Sequence, residues 1–124
     1  MEKRKTLLVV NDDPKTLKLL SLLLEHAGFS MLVASNGFDA LVMTRRNKPD
    51  LVVTDILMRG MDGLELCRQI RGDPSIAHIP VILTSNLSLT REDLSLAQSV
   101  RANAFVPTSH EVRLLLAKIC ELLS

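Results

Sequence analysis

The sequence has no Trp and no Tyr, two Cys, and almost no excess of either charge. With a net charge of +1 and no Trp or Tyr to stack on bases, it is unlike a nucleic-acid-binding domain. Two Cys without a pairing pattern indicate reduced thiols in or near the core. The apolar runs are far too short to cross a membrane, and the run behind the charged start, Thr6 to Val10, is too short for a secretory signal. We therefore expect a cytoplasmic protein without membrane insertion.

The sequence does contain short apolar runs that alternate with stretches of helical periodicity. At 124 residues, 47% of them hydrophobic, it is long enough for one compact soluble domain, with a core at about residues 5–123 and no effector domain. The alternation predicts an α/β fold in which helices cover both faces of a parallel sheet. The predicted strands are 6–10, 30–34, 51–54, 81–84 and 104–106, and the predicted helices are 14–27, 38–46, 64–71, one from 90 and one after 109.

Capping residues support these boundaries. Asp13 before Pro14 is a typical N-cap, and Gly28 is a typical residue just past a helix end. The strand at 30–34 has the weakest pattern and is expected near an edge of the sheet. The N-caps predicted for the last two helices are Thr90, with Asp93 in a capping box, and Ser109.

Four polar residues stand at or just past the ends of four apolar runs. They are Asp12, Asp55, Thr84 and Thr108. The carboxyl ends of parallel strands share one edge of the sheet, and ligands bind in the crevice there. The pattern therefore predicts a pocket that gathers two carboxylates and two hydroxyls from distant parts of the chain.

In this register the sequence resembles the receiver domain of two-component response regulators, over essentially the whole chain. Five segments occur in the family's order and at its spacing: LLVVNDDP, GFSMLVASNGFDAL, PDLVVTDILMRGMDGLEL, IPVILTSN and RANAFVPTS. The resemblance implies a flavodoxin-like (βα)5 doubly wound sheet with strand order 2-1-3-4-5. It also implies phosphoryl transfer from a histidine kinase or histidine phosphotransfer protein to an aspartate. The output would be a changed surface for a downstream protein, so the chain would not be an enzyme with a separate substrate.

The resemblance assigns a role to each residue of the pocket. Asp55 matches the phosphoacceptor, and Thr84 matches the hydroxyl that contacts the phosphoryl group. Asp12 and the backbone carbonyl of Leu57 match the other protein ligands of a weakly bound Mg²⁺ or Mn²⁺, ions that prefer hard oxygen donors. The remaining matches are Ile56, Ser85, Asn11 and Thr108 in the phosphoryl pocket, and Phe105, the aromatic that changes rotamer on activation.

The sequence departs from the family at two pocket positions. Asn11 stands where the acidic pair normally begins, and Thr108 stands where the family has Lys. Asp13 does not restore the pair, because the ungapped spacing from Pro14 to Asp55 places it on a variable position where a helix cap explains it. Losing one carboxylate and one Lys leaves the formal pocket charge at −2. The two changes therefore either compensate each other or reflect independent loss of function.

Two arginines also replace family residues. Arg59 stands where the family usually has Pro, four residues after Asp55. It could supply positive charge to the pocket or be a solvated loop residue. Arg101 replaces a Gly at the end of the fourth predicted helix, and it is strained if the left-handed backbone is kept.

Three functional hypotheses follow. The first is a phosphorylation-dependent receiver that uses Asp55. The second is a degenerate receiver that binds partners independently of phosphorylation, which Asn11 and Thr108 favour and which Asp12, Asp55 and Thr84 oppose. The third is a small flavodoxin-like enzyme or flavin binder, and the acidic turn after the first strand speaks against it because a flavin phosphate needs donors.

Overall fold

The computed structural model describes residues 4–85, 91–107 and 112–124, without the side chain of Asp93. Strands and helices alternate from the first element to the last. Among the described residues no helix is both long and apolar enough to span a bilayer. The elements are β1 (Thr6–Val10), α1 (Pro14–His26), β2 (Ser30–Ala34), α2 (Gly37–Asn47), β3 (Leu51–Asp55), α3 (Gly63–Gly72), β4 (Val81–Thr84), α4 (Arg91–Ser99), β5 (Ala104–Val106) and α5 (Val112–Leu123).

The strands form one parallel sheet in the order β2-β1-β3-β4-β5. This confirms the flavodoxin-like α/β fold, the strand order and the edge position of β2. β3 is the central strand, and all five of its residues are buried, as its continuous apolar run predicts. Its carboxyl end is therefore the middle of the edge at which a ligand would bind.

Two hydrophobic layers, one on each face of the sheet, hold the elements together. One layer packs the α2, α3 and α4 helices against alternate strand residues such as Leu8 and Val52. The other packs α1 and α5 against the intervening residues, such as Leu7 and Val53. The period-two alternation along each strand thus divides the core between the two faces.

The helix ends agree with most of the predicted caps. Asp13 caps α1 and accepts a hydrogen bond from the backbone N–H of Thr16, and Gly28 follows the helix with φ +107°. α3 starts one residue before the predicted start, because Asp62 caps it by accepting from the backbone N–H of Glu65. The caps predicted at Thr90, at Ser109 and through the Asp93 side chain lie outside the described residues.

The prediction of two thiols in or near the core is wrong for one of them. Cys67 is buried on α3, where its thiol donates to the carbonyl oxygen of Val100 at 3.3 Å. Cys120 is exposed. The reason is helical geometry: Cys120 lies about 100° round α5 from the fully buried Ile119 and therefore faces away from the sheet.

One arginine joins α3 to the turn before β5. The Arg71 guanidinium donates to the carbonyl oxygens of Ala77, Ile79 and Arg101 at 3.2, 2.8 and 3.0 Å and to the side-chain oxygen of Asn103 at 2.6 Å. Arg101 keeps the left-handed conformation, with φ +59°, although it is not Gly. The turn therefore retains its shape at the cost of local strain, on the order of 1 kcal/mol.

Candidate functional site

The carboxyl ends of β3 and β4 bring Asp55 and Thr84 together. The two residues are direct register partners on neighbouring strands. Asp55 is 7% exposed and Thr84 is 2% exposed, so both are nearly removed from water. The backbone N–H of Ile56 donates to the carbonyl oxygen of Thr84 at 2.9 Å and extends the pairing one residue further. The predicted phosphoacceptor and the predicted hydroxyl thus share one rigid corner of the sheet.

The turn after β1 directs its polar residues to different tasks. Asn11 is buried, and its side-chain oxygen accepts from the backbone N–H of Asp13 at 2.9 Å. Asp13 in turn accepts from the Thr16 hydroxyl at 2.5 Å, which lowers the pKa of its carboxyl group. These local bonds occupy Asn11 and Asp13. Asp12 therefore remains as the carboxylate that this turn offers to the pocket.

The loop between β3 and α3 contacts Asp12 through Arg59. The backbone N–H of Arg59 donates to Oδ2 of Asp12 at 3.2 Å. The Nε atom of Arg59 lies 4.0 Å from the same oxygen, although the Arg59 side chain is 95% exposed. Leu57, whose carbonyl is the third predicted ligand, lies in this loop with an exposed side chain, whereas Ile56 beside it is buried.

The same loop is closed by a glycine. The backbone N–H of Gly63 donates to the carbonyl oxygen of Ile56 at 2.9 Å. A Cβ atom on Gly63 would overlap the carbonyl oxygen of Asp55. The start of α3 thus lies directly against the backbone of Asp55, a closeness that only Gly permits.

The environment of Asp55 makes its carboxyl group harder to ionise. Burial, together with a smaller effect of the negative charge on Asp12, raises the pKa of Asp55 to about 6, and a backbone hydrogen bond from Ile56 works in the opposite direction. The Asp55 carboxylate has no ion pair within the part of the chain that the structure describes. A buried carboxylate without an ion pair, beside a second carboxylate whose partner is an exposed arginine, forms an arrangement that favours a positive ligand.

The remaining predicted residues lie near this corner or outside the described chain. Ser85 follows Thr84 and is buried. Phe105 lies on β5 opposite Leu83 and is half-buried beside a cavity of about 350 Å³ that α4 also lines. Thr108 lies outside the described residues.

Comparison with known proteins decides the family. The family model of the response regulator receiver domain matches residues 7–119. The chain belongs to the response regulator receiver domain family. The match runs from the second residue of β1 to Ile119 in α5, so it includes the whole corner described above.

Similar receivers occur in proteins of different lengths. The receiver is 38% identical to the response regulator PleD of Caulobacter vibrioides over 81 residues, which are 65% of this chain and 18% of PleD. It is 30% identical to the polar-differentiation response regulator DivK of Brucella anthropi over 76% of each chain. A solved putative response regulator from Chloroflexus aurantiacus is 28% identical, covers 98% of each chain and has a TM-score of 0.91. The chain thus spans less than a fifth of PleD but three quarters of DivK.

The residues of this receiver fit the divalent cation that such domains typically bind. Asp12 and Asp55 supply hard carboxylate oxygens, and a cation would offset the negative charge of Asp12 that contributes to the raised pKa of Asp55. A third carboxylate is missing because residue 11 is Asn, and the side-chain oxygen of Asn11 already accepts a hydrogen bond from the backbone N–H of Asp13. Accordingly, no group of three His, Cys, Asp or Glu that could hold a metal occurs in residues 4–85, 91–107 and 112–124. The donor set suits a weak Mg²⁺ or Mn²⁺ site.

The sequence did not predict two features of this corner. The contact between Arg59 and Asp12 joins residues 47 positions apart. The sequence shows an arginine in the loop but not the direction of its N–H, which depends on how the loop closes. The closeness of Gly63 to Asp55 was also missed. The sequence shows a Gly at the end of the loop but not the Asp55 carbonyl against which it lies.

Proposed function

We propose that this receiver domain accepts one phosphoryl group on Asp55, from a histidine kinase or a histidine phosphotransfer protein. The observation that carries the proposal is the position of the Asp55 carboxylate. It is buried at the carboxyl end of the central strand, and Thr84 is its register partner. The negative charge of Asp12 contributes to its raised pKa. The membership of the family supports the same reaction.

The transfer places the chemistry on Asp55. A carboxylate oxygen of Asp55 forms the new O–P bond, while the N–P bond to the donor histidine breaks and its electron pair returns to the imidazole. Water later cleaves the acyl phosphate to inorganic phosphate and restores the carboxylate. Asp12, Asp55 and the Leu57 carbonyl are the groups that would hold Mg²⁺, which when bound supplies the positive charge that offsets the carboxylates and the phosphoryl oxygens.

The neighbouring residues position and shield the acceptor. The Thr84 hydroxyl is the donor for a phosphoryl oxygen, while Ile56 and Ser85 line the pocket and restrict water. Phe105 on β5 is the side chain that would report the phosphorylated state to the surface that a downstream protein binds. In this proposal the single domain works in the cytoplasm through protein partners, without a separate substrate, direct nucleic-acid contact or membrane insertion.

Treatment with acetyl phosphate and Mg²⁺, followed by intact-mass analysis, tests the acceptor. The wild-type chain should gain one phosphoryl group. It should gain none when the metal is chelated before acetyl phosphate is added. Asp55→Asn should gain none, because an amide oxygen cannot form a stable acyl phosphate. Undiminished phosphorylation of Asp55→Asn would overturn the assignment.

The two acids after Asn11 provide a matched test of the metal ligands. Asp12→Ala should abolish Mg²⁺ binding and phosphorylation. Asp13→Ala should leave both nearly intact and cost about 1 kcal/mol of stability, because it removes a helix cap. The reverse result in a metal titration would show that the acids have exchanged roles.

A phosphorylation-independent interaction module remains the second candidate. The observation in its favour is that Asn11 is tied into a local turn instead of adding a third carboxylate. A partner that binds Asp55→Asn and wild type equally, with and without acetyl phosphate, would support it. The flavodoxin-like enzyme has no such observation behind it, and a colourless purified protein would count against it.

A further inference from the structure

We propose that Arg59 is a built-in counter-ion for Asp12 that a divalent cation must displace, so that Arg59 lowers the metal affinity of the pocket. The proposal rests on the proposed function, because it takes Asp12 as a metal ligand. It concerns a residue that replaces the family's usual Pro at this position. Arg59 acts through Asp12 and is thus a positioning residue.

The first argument is that the backbone N–H and the guanidinium of Arg59 both approach the same oxygen of Asp12. Oδ2 of Asp12 accepts the backbone N–H of Arg59 at 3.2 Å, and the Nε atom of Arg59 lies 4.0 Å from the same oxygen. A metal ion needs the lone pairs of that carboxylate. The guanidinium therefore competes with the metal ion for the negative charge of Asp12. A Pro at this position could not compete, because it has neither a backbone N–H nor a positive charge.

The second argument is the charge balance. The Asp12 side chain is 29% exposed, and its ion pair with Arg59 is the one that the described residues show for this pocket. The Lys that the resemblance leads us to expect after β5 is replaced by Thr108. Among the described residues, Arg59 is accordingly the cation that partly neutralises Asp12 before a metal arrives.

The third argument sets the size of the effect. The Arg59 side chain is 95% exposed, so solvent and salt screen its interaction with Asp12. Exposed ion pairs of this kind change an equilibrium by no more than about fivefold. Displacing the guanidinium should thus be easy, and the pocket should still bind metal, more weakly than it would without Arg59.

Free Mn²⁺ can be measured by its electron paramagnetic resonance signal with the full chain at low ionic strength. Arg59→Gln keeps the backbone N–H and removes the guanidinium, so it should tighten Mn²⁺ binding by about two- to fivefold. Arg59→Lys should restore affinity close to wild type. The gain should fade as salt is raised to about 0.5 M.

Lys15→Gln is the matched control, because Lys15 is an exposed cation three residues after Asp12 with no hydrogen bond or ion pair to it in the described structure. Its effect should be clearly smaller than that of Arg59→Gln. Equal effects would mean that net charge alone sets the affinity, and that result would overturn the proposal. No change in Arg59→Gln would overturn it as well.

A metal-free measurement and a second variant separate this proposal from the proposed function. The NMR signal of the Arg59 Nε–H should shift in Asp12→Asn without metal, and it should shift in the same direction when Mg²⁺ is added to wild type. An unchanged signal in both cases would contradict the proposal. Loss of metal binding in Asp12→Ala, together with wild-type Mn²⁺ affinity in Arg59→Gln, would overturn the counter-ion proposal for Arg59 and support Asp12 as a metal ligand. Normal metal binding by Asp12→Ala would overturn both the assignment of Asp12 as a metal ligand and the counter-ion proposal for Arg59.

Discussion

At the scale of single residues, the pocket depends on what surrounds each polar group more than on which groups are present. Asp12 and Asp13 are adjacent and chemically identical, yet one faces the pocket and the other caps a helix. The spacing to Pro14 predicted the helix cap at Asp13, which the structure confirms, whereas the role of Asp12 as a metal ligand stays a prediction. The contact of Arg59 with Asp12 could not be predicted, because a loop without periodicity gives no indication of the direction of its N–H groups.

The burial of Asp55 makes a prediction about pH. Its pKa lies near 6 in the folded chain and near 3.8 when unfolded, so the folded state holds its proton more tightly. As pH rises from about 4 to about 6, the unfolded carboxyl ionises first and the folded state loses stability. Asp55→Asn should therefore be more stable than wild type at pH 7, by on the order of 2 kcal/mol, with little difference below pH 4.

Urea unfolding without divalent metal, at several pH values, measures this difference. Far-UV circular dichroism is the suitable probe, because the chain has no Trp or Tyr. Asp13→Asn is the control, because its effect on stability should depend on pH in the opposite direction. The hydrogen bond from Thr16 lowers the Asp13 pKa, so the stability that the ionised carboxylate contributes is lost as pH falls. A gain in Asp55→Asn that stays constant down to pH 4 would contradict the prediction.

At the scale of helices and strands, the sequence predicted most boundaries because caps and turns are local. Asp13 and Gly28 act within a few residues of themselves, so their roles can be predicted from the neighbouring sequence. α2 and α3 begin one residue before their predicted starts, each at a Gly. The pattern of neighbouring residues did not show that these two glycines belong to the helices, since each lies against a residue of another segment.

Two glycines of α3 give the prediction at this scale. Gly63→Ala should destabilise the fold by about 1–3 kcal/mol or more, because the new Cβ would overlap the Asp55 carbonyl and push the loop away from β3. Gly72→Ala is the matched control, since nothing lies within 4 Å of its Cβ position. It should leave stability unchanged or raise it by up to about 1 kcal/mol.

Thermal unfolding of both variants checks the comparison. The same samples, treated with acetyl phosphate and Mg²⁺ below their melting temperatures, show whether the displaced loop also slows phosphorylation. We expect Gly63→Ala to be less stable than wild type and to be phosphorylated more slowly. Similar melting temperatures for Gly63→Ala and Gly72→Ala would show that the loop absorbs the methyl group.

At the scale of the whole molecule, the sheet joins two hydrophobic layers into one unit. The order of the strands was predictable from the family resemblance, and the edge position of β2 from its weaker pattern. The exposure of Cys120 was missed because its apolar helical context concealed its position on the outer side of α5. Periodicity locates a helix more reliably than it locates the last residue on its buried face.

Because both layers share the strands, damage on either face should weaken the entire fold. Ile70→Ala on α3 and Ile119→Ala on α5 each remove a fully buried side chain, one from each layer. Each should cost about 2–5 kcal/mol and leave a single unfolding transition. Leu114→Ala, at a side chain that is 42% exposed, should cost less than about 1 kcal/mol. Two separate transitions in calorimetry of either Ile variant would show that the layers unfold independently.

The glycine that starts α3 bears on how such chains can change over time. Its lack of a side chain serves the backbone, since a Cβ would meet the Asp55 carbonyl oxygen whatever the side chain at position 55 does. A descendant that gave up phosphoryl transfer could therefore replace Asp12 or Asp55 freely, but not this Gly. A sequence signature built on the glycine therefore records the architecture, whereas the chemistry proposed for this pocket would be recorded by its polar residues.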